Sequence, residues 1–364
     1  MSEPIRQILR PDGSLNQEFE PPDIPPQDLL RIYRTMLLNR RVDERMITLQ
    51  RQGRIGFYIG STGEEAAVLG SVYPLRDTDW IVPCYRELGA ALYRGFPLFK
   101  LFCQLFGNSE DAIKGRQMPN HYSAKDLRFG SISSPVGTQI PQAVGMAMAA
   151  KISGKSDIVL VFFGDGATSE GDFHVGANFA GVFKSPCVFV CRNNQWAISV
   201  PLSAQTASES IAIKAQAYGF AGVRVDGNDV LAMVSATQEA CLRARSGDGP
   251  TLVEAVTYRV SAHSTSDDPR AYREDEEVEK WQKRDPLSRF RLYLNRLALW
   301  DDTKELQLEE EIREEIQLTI KLAEELPPPS IDTLIEDVFE TPPWHLLEQL
   351  EALKDQRETV ESQA

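Results

Sequence analysis

The sequence lacks the features that would place the protein in a membrane or on a nucleic acid. It has no apolar run of membrane-spanning length, so we expect no membrane contact. Basic residues are in the minority, with 39 Lys and Arg against 53 Asp and Glu and a net charge of −14. This balance argues against a nucleic-acid partner, which needs a basic face. The remaining composition, 42% hydrophobic and 25% charged over 364 residues, is typical of a globular protein with one large domain or two ordinary ones.

Cysteine is also scarce, and no CxxC pair is present, so the sequence does not indicate a zinc knuckle. Cys187 and Cys191 lie in an apolar, strand-like run, which predicts buried thiols in a reducing cytosol. The first residues, MSEPIRQILRPDG, have neither an apolar centre nor an Arg- and Ser-rich leader. We therefore expect no signal or transit peptide and a cytoplasmic location.

The chain divides into three parts by composition. Residues 1–26 are polar and Pro-rich and predict an extended N-terminal arm. Residues 27–274 contain alternating apolar and helical segments and predict one α/β domain. Residues 275–364 are highly charged with apolar residues at helical spacing, which predicts a helical region packed on that domain. No internal repeat is present.

The central part alternates between apolar strands and helices, and it defines the fold class. The predicted strands are Ile158–Phe163, Cys187–Cys191, Val223–Val225 and Leu252–Tyr258. The predicted helices are Glu170–Phe183, Ser208–Gly219 and Asp229–Arg245. Strands that are apolar throughout and separated by helices predict a parallel sheet covered by helices on both faces. Ligands of such sheets bind beyond the carboxyl ends of the strands.

Polar residues follow two of these strands. Gly164-Asp165-Gly166 ends the first, and Asn193-Asn194 ends the second after 26 intervening residues. A carboxylate of Asp165, an amide oxygen of Asn194 and a backbone carbonyl at Trp196 could hold Mg²⁺ with a diphosphate. The alternative is a turn after a buried strand with Asn in left-handed conformation. Gly-Asp-Gly alone favours that alternative, whereas the paired motifs favour a cation site.

The wider sequence resembles the α subunit of 2-oxoacid dehydrogenase E1 enzymes, and most of all the branched-chain (2-oxoisovalerate) type. The resemblance covers about Leu30 to Arg296. It rests on the stretches GFYIGSTGEEA, PCYRELG, KGRQMPNHY, SISSPVGTQIPQAVG, CRNNQWAIS and YRVSAHSTSDDPRAYR. It implies a thiamine diphosphate-binding fold, with thiamine diphosphate and Mg²⁺ as cofactors.

The resemblance also assigns residues to the site. It implies Asp165, Asn194 and the carbonyl of Trp196 as metal ligands. The cofactor contacts that it implies are Tyr85, Arg86, Ser134, Gly166, Ala167, Arg192 and His263. His263 is in addition the expected catalytic residue, for proton transfer. Taken singly, Arg86 could be a surface residue at a helix start and His263 an ordinary histidine.

Three further implications concern the neighbourhood of this site. Phe57 and Val136 match a substrate pocket, although Phe57 could equally be core packing, and the exact 2-oxoacid stays open. Ser264 matches a phosphorylation position of mitochondrial relatives, with an exposed polar turn as the alternative. A monovalent cation is implied at an oxygen-rich loop formed by Ser133, Pro135, Thr138 and Gln139.

The predicted strands account for a single sheet, without a second α/β unit for the rest of the cofactor. The resemblance implies that this unit is a separate β subunit, in an α₂β₂ heterotetramer. It implies oxidative decarboxylation of branched-chain 2-oxoacids, with transfer of the acyl group to the lipoyl domain of an E2 partner. Alternatives are an E1 α subunit for pyruvate or acetoin, a non-catalytic binding subunit, and an Mg-dependent phosphohydrolase. The last would need further carboxylates and a nucleophile.

Overall fold

The fold is organised by one parallel β-sheet, seen in a computed structural model that describes residues 4–336 and 338–361. The strands are β1 (Trp80–Val82), β2 (Val159–Gly164), β3 (Cys187–Asn193), β4 (Trp196–Ala197), β5 (Val200–Pro201), β6 (Ala221–Asp226) and β7 (Thr251–Val256). Five of them form the sheet in the order β1-β2-β3-β7-β6, with every pair parallel. β4 and β5 form a separate antiparallel hairpin.

The apolar strands are buried on both faces of this sheet, as their composition predicts. Along β2, Val159, Val161 and Phe163 pack into the core on one side. Leu160 and Phe162, which alternate with them, pack into the larger core on the other side. The α/β fold class expected from the sequence is therefore confirmed.

Helices cover both faces. They are α1 (Pro26–Arg51), α2 (Glu65–Val72), α3 (Leu88–Tyr93), α4 (Leu98–Phe106), α5 (Gln139–Ile152), α6 (Gly171–Phe183), α7 (Leu202–Gln205), α8 (Lys214–Ala217), α9 (Val230–Arg245), α10 (Asp275–Gln282), α11 (Pro286–Arg296), α12 (Asp302–Glu324), α13 (Thr333–Glu336) and α14 (Trp344–Glu361). α5 and α6 pack together, with α5 against β2, whereas α9 packs against β3, β6 and β7. Within the described ranges, no helix combines the length and the apolar character needed to cross a bilayer.

The helix predicted over Ser208–Gly219 is wrong for most of its length, because only α8 at its end is helical. The amide of Ser208 donates to the hydroxyl of Thr206, and the amide of Ile213 donates to the hydroxyl of Ser210. Such local bonds to Ser and Thr compete with the amide bonds of a helix.

The two ends of the chain pack on the central part. Arg6 pairs with Val225 in a parallel bridge at the edge of the sheet. Ile8 and Leu9 are fully buried, and their amides donate to the carboxylate of Asp229 at 2.6 Å. Of the C-terminal helices, α11 and α12 pack on α1, and α12 also packs on α4. The division at residues 26 and 274 stays a prediction.

Candidate functional site

The two polar motifs meet at one edge of the sheet. Gly164, the last residue of β2, pairs with Arg192 near the end of β3. The residues that follow, Asp165 and Asn194, consequently lie side by side at the carboxyl ends of these strands. Their side chains are buried, with 1% and 6% of their surface exposed. This is the position where a parallel sheet binds its ligand.

A cavity of about 320 Å³ opens at this edge. Most of the residues expected at the site line it, namely Tyr85, Arg86, Ser134, Val136, Asp165, Gly166, Ala167, Arg192, Asn194, Trp196 and His263. The rest of the wall consists of Cys84, Gly164, Glu170, Ala197, Ile198 and Arg259. The fold therefore brings together residues that are far apart in the sequence.

Asp165 is a buried carboxylate without an ion pair among the described residues. Its Oδ2 accepts a hydrogen bond of 2.7 Å from Nε2 of Gln205. Burial is the main cause that raises the pKa of Asp165 to about 6, against the hydrogen bond from Gln205. A buried carboxylate in this condition gains from a cation placed beside it.

Asn194 is oriented by Glu64. Its Nδ2 donates to Oε1 of Glu64 at 2.9 Å, which turns the amide oxygen the other way. That oxygen accepts a long bond of 3.3 Å from the amide of Trp196. The carbonyl of Trp196 accepts from Arg259 at 3.2 Å. Since Asn194 and Trp196 both line the cavity, their oxygens join Asp165 as possible cation ligands.

Arg192 is held by two buried carboxylates. One terminal nitrogen lies 2.6 Å from the carboxylate of Glu64, and the other forms an ion pair with Glu87. Only 2% of the Arg192 side chain is exposed, and neither carboxylate is exposed at all. Among the residues that the structure describes, none bonds the buried Nε of Arg192, so this donor is available to an acceptor in the cavity.

Arg86 links two segments of the cavity wall. It donates to the carbonyl of Gly60 at 2.5 Å and to the carbonyl of His263 at 2.6 Å. It also lies 2.9 Å from Nδ1 of His263. Because a guanidinium can only donate, Nδ1 accepts and the proton of the neutral ring is on Nε2. Burial, followed by the charges of Arg86 and Arg259, lowers the pKa of His263 to about 3.

The segment that carries His263 is fixed by its own hydrogen bonds. The amide of His263 donates to Asp267 at 2.7 Å, and the same carboxylate oxygen accepts from the hydroxyl of Tyr272. Arg259 is 1% exposed and donates to Tyr272 and to the carbonyl of Ile198. Together these contacts join the His263 segment to the turn between β4 and β5.

Gly166 stands where a side chain would not fit. A Cβ atom added at this position would lie 2.7 Å from the Cβ of Ala197, closer than real Cβ contacts. The glycine lets the backbone after β2 pass close to the β4–β5 hairpin, as part of the cavity wall.

Some expected site residues lie outside the cavity wall. Phe57 is half-buried, and the loop residues Ser133, Pro135 and Thr138 do not line the cavity either. Gln139 is 1% exposed, and its Nε2 donates to the carbonyl of Phe162 at 2.9 Å. The Oε1 of Gln139 is buried, and no group in the described part of the chain donates to it.

Sequence reasoning missed four charged residues of this site, Glu64, Glu87, Glu170 and Arg259. Glu64 and Glu87 occur in the stretches GEEA and YRELG, but nothing local ties them to Arg192. Arg259 could have been predicted, because Arg259 and Arg192 both lie close to the carboxyl end of a strand, β7 and β3 respectively. In the described ranges, no three His, Cys, Asp or Glu side chains gather as a metal site. A cation at Asp165 would therefore depend on amide and carbonyl oxygens.

Known proteins are similar in sequence to most of this chain. A family model described as "Dehydrogenase E1 component" matches residues 33–332. The chain is 43% identical over 351 residues to the mitochondrial 2-oxoisovalerate dehydrogenase subunit alpha of Homo sapiens, covering 96% of this chain and 79% of that protein. It is 42% identical over 347 residues to subunit alpha 2 of Arabidopsis thaliana, covering 95% and 74% of the two chains. The Caenorhabditis elegans protein is 42% identical over 352 residues, with 96% and 81% covered.

The comparison contradicts one expectation. These relatives are mitochondrial by name, so the cytoplasmic location expected from the sequence is wrong. The expectation rested on a polar N-terminal segment and on cysteines that are indeed buried and free. Reduced thiols and polar residues fit more than one compartment, because neither is a targeting signal.

Proposed function

Because the chain belongs to the dehydrogenase E1 component family, we propose that it is the α subunit of the E1 component of a branched-chain 2-oxoacid dehydrogenase complex. The reaction is oxidative decarboxylation of a branched-chain 2-oxoacid, with transfer of the acyl group to lipoyl-E2. The names of the relatives support this substrate class. The observation that carries the proposal is the cavity where Arg86, Arg192 and His263 face Asp165 and Asn194.

Family membership implies thiamine diphosphate as the cofactor. When bound, it supplies the electron sink that allows a 2-oxoacid to lose CO₂. The residues of this chain suit its diphosphate end, because Arg86 and Arg192 place two guanidinium charges at the cavity and Nε of Arg192 has no hydrogen-bond partner among the described residues. Tyr85, Ser134, Gly166 and Ala167 also line the cavity, so their hydroxyl groups and backbone amides are the further proposed contacts of the diphosphate.

The charges at the cavity support a divalent cation as part of the proposed site. Three guanidinium groups are present, those of Arg86, Arg192 and Arg259, and His263 is neutral. Four carboxylates offset them, those of Glu64, Glu87, Asp165 and Glu170. Three positive and four negative charges leave a net charge of −1, so a diphosphate would meet no excess of positive charge. Mg²⁺ held by Asp165, Asn194 and the carbonyl of Trp196 would reverse that balance.

The loop around Gln139 is the proposed monovalent cation site. Within the described ranges the buried Oε1 of Gln139 accepts no hydrogen bond, and an oxygen in that condition is stabilised by a cation. Ser133, Pro135 and Thr138 would supply further oxygens. A cation here would steady the segment that carries Ser134 and Val136 into the cavity.

His263 is the proposed catalytic residue of this chain. Its Nδ1 is occupied by Arg86, so its Nε2–H is the atom that can donate toward a bound group. It therefore acts as a neutral hydrogen-bond donor at the start of the reaction rather than as a general base. A His263→Ala variant is expected to lose acyl transfer to lipoyl-E2 while keeping its fold. Full acyl transfer by this variant would remove the assignment.

The β subunit of E1 is the proposed partner, in an α₂β₂ heterotetramer. Large hydrophobic side chains are exposed at the surface of α5 and α6, namely Ile152, Val175, Phe179, Val182 and Phe183. An exposed apolar surface of this kind marks a protein interface. At the cavity, Val136 is 44% exposed and Ile198 is 53% exposed, so this wall also has apolar surface for a partner or a substrate to cover.

Substrate kinetics with the β subunit present test the function. We expect a higher kcat/KM for 3-methyl-2-oxobutanoate than for pyruvate, measured with a lipoyl domain as acceptor. Val136 lines the cavity and is the proposed substrate contact, whereas Phe57, the other proposed pocket residue, is not part of the cavity wall. A preference for pyruvate would replace the branched-chain assignment by the pyruvate alternative. Phosphate release from small phosphoesters by the chain alone would instead favour a phosphohydrolase.

A further inference from the structure

A carboxylate outside the cavity is bonded to the segments that hold Arg86 and His263. Asp43 lies on α1 and is 1% exposed. Its Oδ1 accepts from the hydroxyl of Tyr58 at 2.8 Å. Its Oδ2 accepts from the amide and the hydroxyl of Ser61, at 2.7 and 3.0 Å. We propose that Asp43 is a positioning residue that fixes the 58–61 loop and, through it, both Arg86 and the His263 segment.

The first connection runs to Arg86. Gly60 lies between Tyr58 and Ser61, and the side chains of both residues donate hydrogen bonds to Asp43. The carbonyl of Gly60 accepts from Nη1 of Arg86, while Nη2 donates to His263. The direction of the Arg86 guanidinium therefore depends on where the loop places this carbonyl.

The second connection runs to the segment with His263. The amide of Tyr58 donates to the hydroxyl of Thr265, and its carbonyl accepts from the amide of Thr265, both at 3.0 Å. Thr265 is two residues from His263. Tyr58 is thus bonded to Asp43 through its ring and to the His263 segment through its backbone.

Other groups hold this loop together with Asp43: Thr265 bonds the backbone of Tyr58, and the amide of Glu64 donates to the carbonyl of Ser61 at 2.9 Å. Asn39, one turn earlier on α1, donates to the hydroxyl of Ser61 at 2.7 Å. Asn120 bonds the backbone of Ile59. Among the described residues, Asp43 has no ion-pair partner, so its carboxylate is held by hydrogen-bond donors of the loop alone. Burial raises the pKa of Asp43 to about 7, partly offset by the bonds from Ser61 and Tyr58. Burial of this carboxylate is unfavourable, and its hydrogen bonds among the described residues all come from one loop. Both facts fit a positioning role.

This inference rests on the proposed function, because it assumes that Arg86 and His263 contact the bound cofactor. The test uses the protein assembled with its β subunit and measures the Kd of thiamine diphosphate at fixed Mg²⁺. Asp43→Ala is expected to raise this Kd about tenfold, because three bonds to a carboxylate are lost and the loop is released. At saturating cofactor, kcat should fall by less than about threefold.

Two milder variants keep the test decisive if Asp43→Ala does not assemble. Asp43→Asn retains one oxygen for Ser61, and its amide can donate to the Tyr58 hydroxyl, so its Kd should stay within about threefold of wild type. Tyr58→Phe removes a single bond without changing the packing, and its Kd should rise about threefold. The role of the bond between Tyr58 and Asp43 would be contradicted if Asp43→Asn lost cofactor binding completely while Tyr58→Phe kept the wild-type Kd.

The matched control is Asp79→Ala. Asp79 is fully buried, accepts from Ile158 and Arg245, and precedes β1 at the opposite end of the sheet. The Asp79→Ala variant should have a lower unfolding temperature than wild type. Its Kd for thiamine diphosphate should stay within about twofold of the wild-type value. A Kd that rises as much in Asp79→Ala as in Asp43→Ala would show a general effect of stability and overturn the inference.

An Arg86→Ala variant separates this inference from the proposed function. If Arg86→Ala weakens cofactor binding and the Asp43 and Tyr58 variants do not, the inference is wrong and the proposed function stands. If Arg86→Ala binds the cofactor normally, the proposed cofactor site is wrong and the role of Asp43 falls with it.

Discussion

Arg192 and Glu64 form an ion pair of 2.6 Å in which neither side chain has appreciable contact with solvent. The same carboxylate also accepts from the amide of Asn194. Glu64 therefore fixes the position of Arg192, which is cationic, relative to Asn194, which is a proposed metal ligand. A buried pair of this kind adds little net stability, but removing one partner leaves the other charge buried and is costly.

Replacement of Glu64 tests this ion pair. Glu64→Ala leaves Arg192 with the carboxylate of Glu87 and removes the acceptor of the Asn194 side-chain amide. We expect a loss of about 3 kcal/mol in the free energy of unfolding. The matched control is Glu44→Ala, which removes an exposed partner of Arg41 and should change stability by less than about 1 kcal/mol. Thermal unfolding of the assembled protein at one concentration gives the comparison, and equal shifts in both variants would contradict it.

The metal dependence of cofactor binding tests the role of Asp165. Asp165→Ala removes the only carboxylate among the proposed ligands of Mg²⁺. The Mg²⁺ concentration at half-maximal thiamine diphosphate binding is expected to rise at least about tenfold. The exposed Asp248 provides a control, since Asp248→Ala should leave the titration unchanged. Unaltered Mg²⁺ dependence in Asp165→Ala would favour a site without this ligand.

The pH dependence of stability reports the state of His263. Its pKa falls from an ordinary 6.5 to about 3 because of burial and then the charges of Arg86 and Arg259. Between these values the unfolded imidazole binds a proton that the folded one does not, so its contribution to stability falls as pH falls. On acidification from pH 7 to pH 4, the wild type should lose more stability than His263→Gln. Parallel unfolding curves against pH would mean that the ring is not held neutral.

The ionisation of Asp43 should change stability with pH in the opposite direction to that of His263. Burial raises its pKa from 3.8 to about 7. Between these values the folded carboxyl keeps a proton that the unfolded one has released, so its contribution to stability falls as pH rises. The slope has an upper limit of about 1.4 kcal/mol per pH unit. Asp43→Asn lacks this titration and should gain stability relative to wild type between pH 5 and pH 7, as followed by thermal unfolding. A constant difference over this range would argue against the raised pKa.

The proposed monovalent cation can be detected through Gln139. Replacing choline chloride by potassium chloride at constant ionic strength should raise the unfolding temperature of the wild type. Gln139→Leu lacks the buried oxygen and should not respond to potassium. An equal response in the two proteins would place any potassium effect elsewhere.

Prediction from the sequence succeeded where the physical signal is local. The strand predicted over Ile158–Phe163 is observed as Val159–Gly164, a shift of one residue. Its residues are apolar throughout because a parallel sheet buries both faces, and this leaves few alternatives. The polar residues after the two strands had to lie at one edge, since parallel strands end on the same side.

Local sequence patterns did not predict the contacts that support the site. Glu64 and Arg192 are 128 positions apart, and Arg86 and His263 are 177 positions apart. Asp43 occupies a buried position on a helix, where the sequence pattern predicts only packing. No periodicity relates such pairs, because their contact depends on how α1 and the loop before α2 pack against the sheet.

The sequence by itself therefore determined the parallel sheet and the edge where Asp165 and Asn194 meet, because strand composition and strand direction are local properties. Only the tertiary structure decided which carboxylates hold Arg192, which nitrogen of His263 bears the proton, and that Asp43 supports the loop beneath Arg86. These features follow from burial and from hydrogen bonds between distant segments, whose free energies exist only once the segments are packed together.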